Sequence, residues 1–153
     1  MRSVRKAFIP RTILLLSEEV RVAEQIEQAL ATHCLAHHIE WHVDIQSFQQ
    51  SLIGSRSRPA SATRVDLLLV AYVDDERKTQ DTLVDLNRLT GWRQVPRVLF
   101  MKQCDPALTR LLYHLGANSV LKFPLSFEAL QQLISTMDAY WFDAVTLPFS
   151  EDE

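Results

Sequence analysis

The sequence predicts an α/β fold: a parallel sheet wound with helices on both faces. Three observations predict it. Strand-like and helix-like segments alternate five times along the 153 residues, the pattern of repeated βα units. The runs at 13–16, 67–70 and 98–101 are continuously apolar, as suits strands covered on both faces. The three glycines, Gly54, Gly91 and Gly116, fall where the helical patterns run out, so local chemistry agrees with the global pattern.

Each element follows from its own residues. Ile13-Leu14-Leu15-Leu16 is a central strand. Ser17 reads as the N-cap of the next helix, with Glu18 and Glu19 at the positive end of its dipole. Val22, Ile26, Ala29 and His33 supply that helix's spacing. Ile39, Trp41, Val43 and Ile45 then alternate with Glu40, His42 and Asp44, which predicts a half-buried edge strand. A short helix over 46–52 ends near Gly54, and the polar stretch 55–64 reads as an exposed loop, long by the usual standard. Leu67 to Val70 form the next central strand. The helix through Leu83, Leu86 and Leu89 stops at Gly91. Val98-Leu99-Phe100-Met101 is buried strand again. Asp105-Pro106 opens a helix, with a cap residue followed by proline at the first helical position, and Gly116 ends it. Val120-Leu121 is the last strand. Ser126 caps a final helix whose apolar face is Phe127, Leu130, Ile134, Met137 and Trp141.

Composition sets the broad class. The chain is 47% apolar and 23% charged, ordinary for a soluble globular protein, and long enough for one domain with a real core. A single domain over 1–153 is expected, with an N-terminal arm at 1–11 and a tail at 143–153. The net charge of −3 offers no broad attraction to nucleic acid or to an anionic membrane. Two cysteines, Cys34 and Cys104, make no disulfide framework and suit a reducing cytoplasm. The apolar stretch at 13–16 is too short for a signal sequence and runs into Ser17, Glu18 and Glu19. No run is long enough to span a bilayer. A cytoplasmic protein is expected.

The most specific stretch is Leu115-Gly116-Ala117-Asn118-Ser119-Val120-Leu121-Lys122-Phe123-Pro124, followed by Phe127-Glu128-Ala129-Leu130. It resembles the last βα unit of a bacterial response-regulator receiver domain. The ending Tyr140-Trp141-Phe142 with Thr146-Leu147-Pro148 is similar to stand-alone regulators of the bacterial-phytochrome type. The resemblance covers nearly the whole chain. It implies a flavodoxin-like, doubly wound five-stranded parallel sheet in the order 2-1-3-4-5, with the second strand at an edge.

The resemblance also implies a mechanism against which the chain can be read. In the family, two acidic residues after the first strand help to hold magnesium, which wants oxygen ligands. An aspartate ending the third strand is the nucleophile and a further ligand. A hydroxyl residue after the fourth strand and a lysine before the proline of the fifth stabilise the phosphoryl group. Carried onto this chain, the acidic positions are Ser17 and Glu18. The nucleophile position is Ala71, the hydroxyl position Met101 and the lysine position Phe123. The switch aromatic falls on Val120. Only Glu18 keeps a suitable character. A lysine left beside a missing aspartate would be a buried unpaired charge, costing ~3–5 kcal/mol. Ala71, Met101 and Phe123 are instead expected to close the pocket, a buried Phe or Met contributing roughly 1.5–3 kcal/mol. Lys122 is expected to face away from the pocket, because neighbouring strand residues point to opposite faces.

The expected function is therefore a phosphorylation-independent pseudo-receiver, a non-enzymatic interaction module without a cofactor. It would bind a histidine kinase or another signalling protein, or a second copy of itself. A homodimer is expected through Leu111, Tyr113 and His114 on one side and Tyr140, Trp141 and Phe142 on the other. The consecutive aromatics cannot all face one side of a helix. Two alternatives stand beside this. Asp74 or Asp75 could accept phosphate, against the plainer reading of a solvated loop in which one of them caps a helix. The cluster His33, Cys34, His37, His38 and His42 could serve a metal or ligand sensor, against the plainer reading of a polar turn. Ser17 is better explained as a cap than as a nucleophile, since the fold places no histidine base near it.

Overall fold

Apolar runs and helical stripes sort the described residues into ten elements: β1 Thr12–Leu16, α1 Val20–His33, β2 His38–His42, α2 Ile45–Ile53, β3 Leu67–Val70, α3 Glu76–Arg88, β4 Arg97–Met101, α4 Pro106–His114, β5 Ser119–Lys122 and α5 Phe127–Asp138. They are taken from a computed structural model, which describes residues 11–33, 37–53, 65–89, 91–92, 94–124 and 126–138. The predicted arm, the 55–64 loop and the tail lie outside the described residues, except for Arg11. All four strand pairings are parallel, and the order is β2-β1-β3-β4-β5. The expected sheet order and the edge position of β2 are thus observed.

Alternation along the central strands divides the core in two. Ile13, Leu15, Leu67, Leu69, Val98 and Phe100 face α1 and α5, where Val22, Ile26, Leu30, Leu130 and Ile134 meet them. Leu14, Leu16, Leu68, Val70, Leu99 and Met101 face α2, α3 and α4, through Phe48, Leu83, Leu86 and Leu112. His33, counted in the apolar spacing of α1, is exposed.

Leu89, expected within α3, is instead its extended C-cap, so that helix ends at Arg88, and two helix starts differ from expectation for a local reason. Ser17 is not the cap of α1. The Glu19 carbonyl accepts the Ala23 N–H at 3.0 Å, so Glu19 takes the cap position and neither glutamate lies in the first turn. The alternating pattern through Val43 and Ile45 is not all strand. The Asp44 side chain accepts the Ser47 N–H at 2.8 Å and starts α2 one residue later. Ile45 then buries as a helix residue, while Val43 is left 45% exposed.

The Gly-Ala-Asn block has a structural explanation. Gly116 has φ +115°, and a Cβ there would lie 2.7 Å from Arg97 Nη1. Ala117 is buried. Asn118 Oδ1 accepts the Arg97 N–H at 2.9 Å, which ties β5 to the start of β4. Arg97 is itself buried. Its guanidinium donates to Trp92 O at 2.7 Å and to Asn87 Oδ1 at 3.1 Å.

Candidate functional site at the carboxyl edge of the sheet

The carboxyl ends of β1, β3, β4 and β5 bring the pocket positions to one edge. This is where open α/β sheets place their ligands. Ala71 follows β3, is 1% exposed, and donates its N–H to Leu16 O at 2.8 Å. It belongs to the apolar layer that includes Leu15, Val73, Phe100 and Phe123. Phe123, after β5, is buried with its ring edge-on to Phe100, centroids 6.0 Å apart. Lys122 is exposed.

Met101 corrects the expected grouping. The alternation of β4 turns it into the opposite layer, with Tyr72 and Val70. There its Sδ lies 3.6 Å from the Thr79 hydroxyl, whose shorter contact is donation to Asp75 O at 2.8 Å. Ala71 and Phe123 therefore close one side of the edge, and Met101 the other.

The loop after β1 is fixed from both sides. Ser17 is fully buried, and its Oγ accepts the Glu19 N–H at 3.3 Å. Its carbonyl accepts the Trp41 indole N–H at 2.9 Å. Glu18, half exposed, is ion-paired with Lys78 at 2.8 Å. Tyr72, next to Ala71 but on the other face, is buried and donates its hydroxyl to Val43 O at 2.6 Å. Burial, with Asp44 and Glu18 adding to it, raises the Tyr72 pKa well above the ordinary phenol value, so the hydroxyl stays a donor.

Both candidate phosphoacceptors are engaged. Asp75 caps α3, accepting the Lys78 N–H at 2.9 Å. Asp74 is exposed and pairs with Lys102 at 3.2 Å. A magnesium site built on the family pattern does not fit these residues. Ala71 offers no oxygen side chain, Ser17 turns its hydroxyl to its own loop, and Glu18 already holds an ammonium.

The remaining candidates are dispersed. Val120 is half-buried and donates its N–H to the Tyr113 hydroxyl at 3.1 Å. It lines a cleft of about 420 Å³ with Met101, Cys104, Thr109 and Lys122. Leu111 and Tyr113 are 39% and 46% exposed, and His114 is exposed beside them. Tyr140, Trp141 and Phe142 lie outside the described residues, as does Cys34. Of the histidines, His37 is buried and His33 exposed. His38 and His42 flank Glu40, at 4.0 and 3.0 Å. Among the described residues, no three His, Cys, Asp or Glu side chains are grouped to hold a metal ion.

Sequence reasoning missed Tyr72, Lys78 and Arg97. For Tyr72 a signal existed: strand alternation turns it away from Ala71 and toward α2 and α3. For Lys78 the signal was a cation one helical turn after the Asp75 cap. Arg97 gave none, since it opens an apolar strand and reads as a surface residue.

No family model matches the chain, and no curated protein sequence matches it either. Solved structures do. The chain is similar to the phosphorylated cyanobacterial phytochrome response regulator RcpA, with 19% identity over 92% of this chain and 99% of that one, at a TM-score of 0.75. It is similar to the Mn²⁺-bound form of response regulator Rcp1, with 18% identity, coverage of 91% and 99%, and a TM-score of 0.72. A response regulator receiver domain from Rhodospirillum rubrum matches at 23% identity, coverage of 92% and 99%, and a TM-score of 0.71. These structural neighbours are receiver domains, stand-alone phytochrome-type regulators among them, and the likeness establishes the fold.

Proposed function

We propose that this receiver-fold chain is a signalling module that acts by binding other proteins, without being phosphorylated. The observation that carries the reading is Ala71. Where the resembled mechanism needs a carboxylate, a methyl group stands 1% exposed in an apolar layer with Phe123. Met101 and Phe123 supply neither the hydroxyl nor the ammonium that would steady a phosphoryl group. On this reading the chain is not an enzyme and works in the cytoplasm, with a histidine kinase or another signalling protein as partner.

Intact mass after incubation with a small phosphodonor and magnesium tests the reading. The expected spectrum is that of the untreated protein. A stoichiometric phosphoryl adduct, on Asp74, Asp75 or elsewhere, would overturn it.

The same proposal includes a homodimer. Leu111 and Tyr113 project from α4 beside the edge strand β5, and exposed apolar side chains of this size suit a protein contact. The expected mass in solution at micromolar concentration is that of two chains, and Leu111→Glu is expected to return it to one. A monomeric wild type removes the dimer and leaves the question of phosphorylation untouched.

A further inference from the structure

Lys78 stands in the first turn of α3 and reaches over the carboxyl edge. Its Nζ is 2.8 Å from Glu18 Oε2 and 5.2 Å from the centre of the Tyr72 ring. The hydrogen bond it donates to Glu18 raises its pKa most. Burial opposes that rise, and the charges of Glu18, Asp44 and Asp75 add to it. Those three carboxylates come from three different connections: β1 to α1, β2 to α2, and β3 to α3. Asp44 and Asp75 line one cleft of about 270 Å³ with Lys78, whose ammonium pairs with Glu18 above a buried aromatic ring whose hydroxyl holds Val43.

We infer that the Lys78 ammonium is a built-in counter-ion, taking at this edge the place a divalent cation takes in a metal-binding receiver. The inference rests on the reading of the pocket as degenerate, and it adds what has replaced the ion. A hard cation gathers carboxylates from separate loops and holds the loops together. Lys78 does so with a single charge tethered to α3, so the loops stay tied whatever the magnesium concentration. Glu18, the one family carboxylate that this chain retains, keeps a partner as a result. A pair this exposed contributes little alone. Its effect comes from the acidic cleft that Lys78 shares with Asp44 and Asp75 and from the Tyr72 face beneath it.

Lys78→Met retains the apolar stem over Tyr72 and removes the charge, and Glu18→Gln removes the opposite charge. Thermal unfolding of the wild type, both single variants and the double variant, in NaCl and in millimolar MgCl₂ at equal ionic strength, tests the inference. Each single variant is expected to lose about 2–4 °C in Tm. The double variant is expected to lose no more than either single one, because both remove the same interaction. Magnesium is expected to raise the Tm of Lys78→Met, whose carboxylates lack their cation, more than that of the wild type. Additive losses, or an equal magnesium response in the two proteins, would overturn the inference. Failure of the wider reading is seen separately, as a phosphoryl adduct on the wild-type protein.

Discussion

Ala71→Asp is expected to lose about 3–5 kcal/mol of stability at neutral pH, the cost of a buried charge without a partner. Domains of this kind have only about 5–15 kcal/mol in total. The substitution restores the residue that the resembled mechanism would use, and physical chemistry opposes it. Ala71 is 1% exposed, in a layer with Leu15, Phe100 and Phe123, and the position that would supply a neutralising lysine holds Phe123. Burial raises the pKa of the new carboxyl above its unfolded value of about 3.9. The folded variant then binds more protons than the unfolded chain across the interval between the two values. Its stability therefore falls as pH rises through that interval, and the deficit against wild type is smallest in acid. Urea unfolding at mildly acidic and neutral pH checks both size and direction. Equal losses at the two pH values would show that the carboxylate finds water or a cation. No phosphoryl adduct is expected on this variant, since Met101 and Phe123 still offer the oxyanion nothing.

Phe123→Ala is expected to lose about 3–5 kcal/mol, the range for a buried ring removed from a packed core. Phe123 is 7% exposed and its ring meets Phe100 edge-on at 6.0 Å, a geometry that adds to simple burial. Its N–H also donates to Met101 O at 2.8 Å, a backbone bond that the substitution leaves in place. The loss is thus read as packing alone. In urea unfolding it appears as a lower midpoint with an unchanged slope. A loss under about 1 kcal/mol, the size of a surface change, would mean that Phe123 is an accidental occupant and not a structural plug.

These two substitutions separate what was readable in advance from what was not. The identities at 71 and 123 were legible, because the counts from Leu67-Leu68-Leu69-Val70 and from Pro124 leave no slack. Their burial was legible from the same runs. The partner of each side chain was not. Met101 was expected beside Ala71 and Phe123, yet strand alternation sends it to the layer of Tyr72 and Thr79. The cap of α1 was assigned to Ser17 on residue preference, while the backbone places Glu19 there and leaves the Ser17 hydroxyl to bond within its own loop. Val43 was read as strand because alternation carries no stop signal, and Asp44 ended the strand by capping α2.

Alone, then, the amino-acid order determined the alternation of strands and helices, their parallel arrangement, and which residues, Ala71, Met101 and Phe123, stand at the positions that the receiver resemblance assigns to the chemistry. The first two depend on short-range periodicity and on residue type, which a linear string carries in full; the third depends on the resemblance. Tertiary structure decided which groups meet: Lys78 with Glu18, Tyr72 with Val43, Arg97 with Asn87 and Trp92. Those contacts join residues 5 to 60 positions apart. Their geometry depends on how helices lie across a twisted sheet, a relation that neither spacing nor propensity encodes.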